Sequence, residues 1–245
     1  ISIVGSRVAT AYGEYATGEL LGPLVMRGYS VVSGGAYGID ASAHRATVAI
    51  EGSTIAVMAG GLDRLYPSGN RDLFKAISEQ GAVVSEMPPG TEPTKWRFLQ
   101  RNRLIAALGQ ATIVVEANAR SGAVSTANRA IELDRPLGAV PGPIDSPGSD
   151  GCHQLIRESK AQLITCSDDI LEMLGANTID STSSLRHAPS ASSHSACAMR
   201  HAPCAMRHAP ALPAPAPGIS ASTSTGAALS FPFHICLTLV HLWSG

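Results

Sequence analysis

Six short apolar runs, rich in valine and isoleucine, recur along the first 140 residues, at 1–4, 29–32, 54–58, 82–84, 112–115 and 137–140. Each run is continuous rather than alternating in polarity, which is typical of a strand whose two faces are both buried. Such strands occur in parallel sheets that helices cover on both sides. The runs therefore predict the interior strands of an α/β fold.

The segments between these runs have the periodicity of helices. Helical patterns span residues 12–27, 39–50, 70–79 and 123–133, and a last short strand at 162–165 precedes a helix at 168–174. Strands that alternate with helices in this way favour a doubly wound, mostly parallel sheet. We expect one such domain over residues 1–175.

The composition changes after this domain. Residues 176–245 are rich in Ala, Ser, Pro and Thr, and the heptapeptide Cys-Ala-Met-Arg-His-Ala-Pro occurs twice, at 197–203 and 204–210. A segment of this composition cannot bury a core, so we predict a disordered low-complexity tail. Its many histidines fit an out-of-frame extension better than a metal site.

The overall composition is that of a soluble globular protein, with 15% charged residues and a net charge of −1. The cysteines lack metal-ligand spacing such as C-x-x-C, which favours a reduced, cytoplasmic setting. The chain starts inside an apolar run at Ile1, so we expect a fragment whose natural N-terminus is missing. The apolar stretch 227–243 is interrupted by Pro232, His234 and His241, and it predicts no membrane insertion.

Small residues follow several of the predicted strands, in the turns Gly5-Ser6-Arg7, Gly34-Gly35, Gly60-Gly61 and Ser121-Gly122. In a doubly wound sheet these turns share one edge, outside the carboxyl ends of the strands, where ligands bind. Small residues let the backbone approach a phosphate, and the helices that follow offer unpaired N–H groups. The turns therefore predict an anion-binding edge.

Between residues 94 and 103 the chain reads Thr-Lys-Trp-Arg-Phe-Leu-Gln-Arg-Asn-Arg. Cations interleaved with aromatic rings suit single-stranded nucleic acid, because the cations follow the phosphates and the rings stack on bases. Lys95 and Phe98 are three residues apart and share one face of a helix. A solvated helix face with its aromatic side chains in the core explains this segment, taken alone, equally well.

An ordered set of motifs runs through residues 1–174. In sequence these are Gly5-Ser6-Arg7, Ser33-Gly34-Gly35-Ala36-Tyr37-Gly38-Ile39-Asp40, Gly60-Gly61-Leu62-Asp63-Arg64-Leu65-Tyr66-Pro67, Arg101-Asn102-Arg103, Val114-Val115-Glu116-Ala117, Ser121-Gly122 and Val140-Pro141-Gly142. Each motif is modest alone, but the ordered set is specific. It resembles the bacterial DNA-processing protein A family (DprA, also called Smf).

The resemblance implies an extended Rossmann-like domain that forms a homodimer and binds single-stranded DNA. It implies that the protein protects incoming strands and loads the recombinase RecA onto them during natural transformation. It implies no catalytic activity, cofactor or metal. Arg7 resembles the family's phosphate-pocket arginine, and Lys95 and Phe98 resemble its DNA-contacting lysine and stacking phenylalanine.

The resemblance also implies the rest of the site. The expected DNA-binding set is completed by Gly5, Ser6, Gly34, Gly35, Arg101, Arg103, Ser121 and Gly122. The helix at residues 152–156 resembles part of the family's dimer surface, with His153, Leu155 and Ile156 facing the partner.

Two motifs depart from the family pattern. Ser121-Gly122-Ala123-Val124 stands where Ser-Gly-Ser-Leu is usual, and the lost hydroxyl removes a hydrogen bond of about 0.5–1.5 kcal/mol. Ser159-Lys160-Ala161 stands where a Gly-Ala pair is usual, which leaves the register of the dimer helix open.

Two other interpretations, an enzyme and a non-functional product, are compatible with parts of the sequence. A nucleoside monophosphate phosphoribohydrolase of the wider Rossmann-like superfamily would carry a Pro-Gly-Gly-x-Gly-Thr turn, but residues 121–126 read Ser-Gly-Ala-Val-Ser-Thr. That difference argues against the enzyme. The unusual tail also fits a truncated, non-functional product, which would express poorly and fail to dimerise.

Overall fold

The computed structural model describes residues 1–176. The predicted tail lies outside the described residues, apart from Ala176. One sheet of seven strands runs in the order β4-β3-β2-β1-β5-β6-β7, and every neighbouring pair is parallel. The strands are β1 Ser2–Val4, β2 Val31–Ser33, β3 Thr54–Met58, β4 Ala82–Ser85, β5 Thr112–Val114, β6 Leu137–Ala139 and β7 Gln162–Leu163.

Seven α-helices and one 3₁₀ turn (Ser68–Asn70) connect these strands. The helices are α1 Ala11–Met26, α2 Ile39–Ala49, α3 Arg71–Gln80, α4 Lys95–Leu108, α5 Gly122–Glu132, α6 Asp150–Arg157 and α7 Ser167–Met173. The predicted doubly wound α/β fold is confirmed. None of these helices of residues 1–176 combines the length and apolar character that a membrane span requires.

The helices cover both faces of the sheet, which explains the continuous apolar runs. Ile3 of β1 packs with side chains of α1, α2 and α7 on one face. The next residue, Val4, packs with side chains of α4, α5 and α6 on the other face. Because successive strand side chains point to opposite faces, both faces of β1 had to be apolar.

The predicted strand boundaries are right to within two residues. The difference reaches two residues in β7, which ends at Leu163 rather than at residue 165, and in β2, which was expected from Tyr29 and begins at Val31. The Tyr29 N–H donates to the carbonyl of Leu24, and Gly28 has a φ of 86°. Residues 28 and 29 therefore still belong to the turn that ends α1.

Candidate nucleic-acid interface

A cavity of about 700 Å³ opens beyond the carboxyl ends of β1 and β5, beneath the first turns of α4. Eight of the predicted DNA-binding residues line it: Gly5, Ser6, Arg7, Lys95, Phe98, Arg101, Ser121 and Gly122. Three segments that are far apart in sequence thus contribute to one concave surface.

Helix α4 presents Lys95 and Phe98 to this cavity. The helix starts at Lys95 because Thr94 is its N-cap, where the Thr94 hydroxyl accepts the N–H of Arg97 at 3.4 Å. The three-residue spacing of Lys95 and Phe98 then places both on one face, as the sequence indicates. The Lys95 side chain is exposed, and the Phe98 ring is half-buried.

Two guanidinium groups approach the Phe98 ring. The Arg7 Cζ lies 5.2 Å from the ring centroid and the Arg101 Cζ lies 5.7 Å from it. Both distances fit a cation–π interaction. Arg7 is exposed, whereas Arg101 is only 6% exposed. The two arginines therefore act differently, one open to a ligand and the other fixed inside the protein.

Arg101 ties α4 to the ends of two strands. Its Nη1 donates to the carbonyl of Gly34 at 2.8 Å, beyond β2, and to the carbonyl of Val57 in β3. Burial lowers the pKa of Arg101 to about 10, which leaves it charged at neutral pH. Asp40 accepts the Gly34 N–H at 3.1 Å, and burial raises the pKa of its carboxyl group although the Arg101 charge opposes this.

Gly34 and Gly35 lie next to the cavity but do not line it. A Cβ on Gly34 would collide with the Arg101 guanidinium, and one on Gly35 would lie 2.5 Å from Phe74 Cε1. The glycines are thus required by side chains packed beneath the turn, and the Gly34 N–H is already bonded to Asp40. A direct contact of this turn with DNA stays a prediction.

Arg103 also lies outside the cavity lining. Its Nη2 donates to both carboxylate oxygens of Glu86, at 2.6 and 2.8 Å. The pair is partly exposed, with 54% of the Arg103 side chain accessible. A DNA contact by Arg103 would have to compete with this ion pair.

The loop after β5 closes the other side of the cavity. Ser121 is the N-cap of α5, and its hydroxyl accepts the Val124 N–H at 3.3 Å. Arg120, just before this cap, is exposed and lines the cavity. Sequence analysis missed Arg120, although its position before a Ser-Gly turn at a predicted helix start was a usable signal.

Glu116 lies two residues beyond the end of β5 and is not part of the cavity lining. Its carboxylate accepts the Thr10 N–H at 3.0 Å and the Thr10 hydroxyl at 2.5 Å. The Glu116 carboxylate is therefore occupied by polar groups of the residue that caps α1.

The predicted dimer residues divide between core and surface. Leu155 is 3% exposed and packs into the core of its own chain. His153 and Ile156 are partly exposed, and His153 Nε2 lies 3.0 Å from the carbonyl of Gly142. A dimer surface on α6 would therefore use His153 and Ile156 while Leu155 supports them from beneath.

No group of His, Cys, Asp and Glu side chains in residues 1–176 is arranged to hold a metal ion. Of the described residues that line the cavity, Asp40 is the one acid, and its carboxylate already accepts the Gly34 N–H. The ionic lining of the cavity is thus dominated by cations.

Comparisons with known proteins agree on one family. The family model for DNA recombination-mediator protein A matches residues 1–175. A putative DNA processing protein DprA from Mycobacterium tuberculosis is 51% identical over 174 residues, which is 71% of this chain and 44% of that protein. Protein Smf from Escherichia coli is 42% identical over 175 residues, 71% of this chain and 46% of that protein. The chain spans about half the length of these curated relatives.

Two solved structures extend the comparison. DNA processing protein A from Streptococcus pneumoniae is 40% identical with a TM-score of 0.64, covering 70% of this chain and 60% of that one. The Helicobacter pylori protein is 32% identical with a TM-score of 0.66, covering 72% and 80%. The latter structure concerns that protein's single-stranded DNA binding mode.

Proposed function

The chain belongs to the DNA recombination-mediator protein A family, and from this premise we propose that it binds single-stranded DNA in the cavity beneath α4. The observation that supports this most is the convergence of Arg7, Lys95 and Phe98 on one concave surface. Exposed cations beside an aromatic ring suit a strand whose bases are unpaired. The relative from Helicobacter pylori, which is described as binding single-stranded DNA, supports the same ligand.

Each group has a separate part in the proposed complex. Arg7 and Lys95 neutralise phosphates, and the amino end of α5 adds a partial positive charge beside Ser121. A base stacks against Phe98. Phosphates and base faces occur in every sequence, so the site tolerates any sequence.

We further propose that the protein protects incoming single strands and loads RecA onto them during natural transformation, as a cytoplasmic homodimer. The family description as a recombination mediator supports this role. A dimer that uses His153 and Ile156 would offer two cavities to one strand. Longer contact with one strand increases affinity without new chemistry at either site.

A binding titration with labelled oligo-dT and a duplex of equal length, at two salt concentrations, tests the proposal. We expect a clear preference for the single strand, because a base within a duplex cannot stack on Phe98. Affinity should fall steeply with salt, since phosphate contacts release counterions. Equal affinity for both forms, or binding of neither, would contradict the proposed function.

Two variants test whether Arg7 and Lys95 each contact a phosphate. Arg7→Ala and Lys95→Ala should each weaken binding and each reduce the salt slope by about one, because each removes one phosphate contact. Both side chains are exposed, so the melting temperature should stay nearly unchanged. Arg129→Ala is the matched control, since this arginine pairs with Glu132 outside the cavity lining. Unfolding of both test variants would show that these residues are structural.

The phosphoribohydrolase alternative has a test of its own. Release of free base from a nucleoside monophosphate would establish it. The cavity offers Asp40 as its acid, but this side chain is buried and hydrogen-bonded to the turn after β2. We therefore expect no release of base.

A further inference from the structure

Tyr66 lies beside the cavity, in the loop between β3 and the 3₁₀ turn at Ser68–Asn70. Its ring centroid is 5.7 Å from that of Phe98, and the two ring planes are inclined by 58°. Tyr66 is 49% exposed and is not part of the cavity lining. The aromatic surface that begins at Phe98 therefore continues outside the cavity.

Two cations already lie close to the Phe98 ring. Guanidinium groups lie 5.2 and 5.7 Å from its centroid, from Arg7 and Arg101 respectively. The Arg101 group is fixed by its bonds to backbone carbonyls. A base that stacks on Phe98 must share the ring with these cations, so a second base needs another surface.

The ring of Tyr66 provides a surface on which a second base can stack. Its hydroxyl forms no hydrogen bond with any of the described residues 1–176, so the ring is not held by a polar contact at its tip. The neighbouring cation Arg64 donates to the Glu92 carboxylate at 2.6 Å and is thereby occupied. This loop can therefore contact a nucleic acid through the aromatic face of Tyr66 rather than through a charged side chain.

We propose that Tyr66 is a second base-stacking position, which receives the base next to the one on Phe98. The bound strand then leaves the cavity across the loop after β3. This inference rests on the proposed function, since it places a further base of the same single strand. The ligand chemistry is a nucleobase of any type, because every base has a π-face.

The test compares Tyr66→Ala, Tyr66→Phe and Tyr15→Ala on oligo-dT. Tyr15 is a matched control, because it is 66% exposed on α1 and does not line the cavity. Loss of one stacked base should weaken binding by Tyr66→Ala about 5-fold or more. Tyr66→Phe and Tyr15→Ala should stay within about 2-fold of the unsubstituted protein. The salt slope should not change, since no phosphate contact is lost.

A base-free ligand separates stacking from other effects. On an oligonucleotide of abasic residues, Tyr66→Ala and the unsubstituted protein should bind equally, because there is no base to stack. A difference that persists on this ligand would overturn the proposal.

Photo-crosslinking on the unsubstituted protein gives a readout that does not depend on folding of a variant. Oligo-dT that carries 5-iodo-deoxyuridine should crosslink to Tyr66 and to Phe98. If Tyr66→Ala lowers the melting temperature, this crosslink and the Tyr66→Phe titration decide the question. Normal binding without a Tyr66 crosslink would overturn the stacking proposal and leave the proposed function standing, whereas absence of all binding would remove the function itself.

Discussion

His44 is a titratable side chain held neutral inside the protein. It is fully buried, and its Nδ1 lies 2.7 Å from the Thr54 hydroxyl. That hydroxyl donates to the carbonyl of Val31 at 2.9 Å, so it accepts the imidazole N–H. Burial, followed by the Arg101 charge, lowers the pKa of His44 to about 3. The folded protein therefore excludes a proton that the unfolded chain binds readily.

Acidification should destabilise the protein through His44. The imidazole of the unfolded chain has a pKa of about 6.5. The contribution of His44 to the free energy of unfolding is therefore complete above pH 6.5 and is lost as pH falls towards 3. At pH 5 the free energy of unfolding should be lower by about 2 kcal/mol. Urea unfolding at pH 7 and pH 5 measures it, and His44→Asn should show a smaller loss than the unsubstituted chain. Asp40 is present in both proteins, so its opposite pH dependence cancels; equal losses would contradict the assignment.

The basic residues of helix α4 lie in three different environments. Each residue turns the helix by about 100°, so neighbouring cations in the sequence point to different surroundings. Lys95 faces the cavity, Arg101 enters the core, and Arg103 reaches Glu86 on the surface. The two explanations of the segment, a DNA-binding strip and an ordinary packed helix, therefore apply to different residues of the same helix.

The attachment of α4 should depend on Arg101. Arg101→Leu removes its two hydrogen bonds and leaves Asp40 buried without the neighbouring cation, which should cost about 3–5 kcal/mol of unfolding free energy. Arg103→Ala is the control, and the loss of its exposed pair should cost about 1 kcal/mol or less. Urea denaturation of both variants measures the difference. Equal effects would show that Arg101 does not fix the helix.

The position of the cavity follows from the order of the strands. β1 lies between β2 and β5, so the chain moves outward in one direction from β1 to β4 and in the other from β5 to β7. The connections that leave β1 and β5 therefore diverge to opposite faces of the sheet, which opens a crevice between them. Arg7 and Ser121 lie on the two sides of that crevice.

The proposed homodimer would pair two copies of the molecule through α6. If α6 forms the interface, Ile156→Lys should convert a dimer to a monomer in sedimentation experiments, because an ammonium group would be buried against the partner. Ile144→Lys is the control, since Ile144 is 93% exposed in the loop after β6. A dimer that survives Ile156→Lys would place the interface elsewhere, and a monomer before substitution would contradict the dimer itself.

The fold and the family were predictable from the sequence because they depend on local patterns. Continuous apolar runs identify strands buried on both faces, and small residues after them identify the ligand edge. These patterns placed Arg7 on the ligand edge, and the family resemblance added Lys95 and Phe98 to the expected DNA-binding set. In the structure these three residues line one cavity.

The sequence could not assign the environment of each side chain, because burial and partners depend on segments distant along the chain. Arg101 and Arg103 are two residues apart, yet one is tied to Gly34 and Val57 while the other meets Glu86. Leu155 belongs to the core, and Tyr66 reaches Phe98 across 32 positions of sequence. Local sequence patterns alone thus determined the strands and the binding edge. Packing in three dimensions decided which cations remain accessible to a ligand.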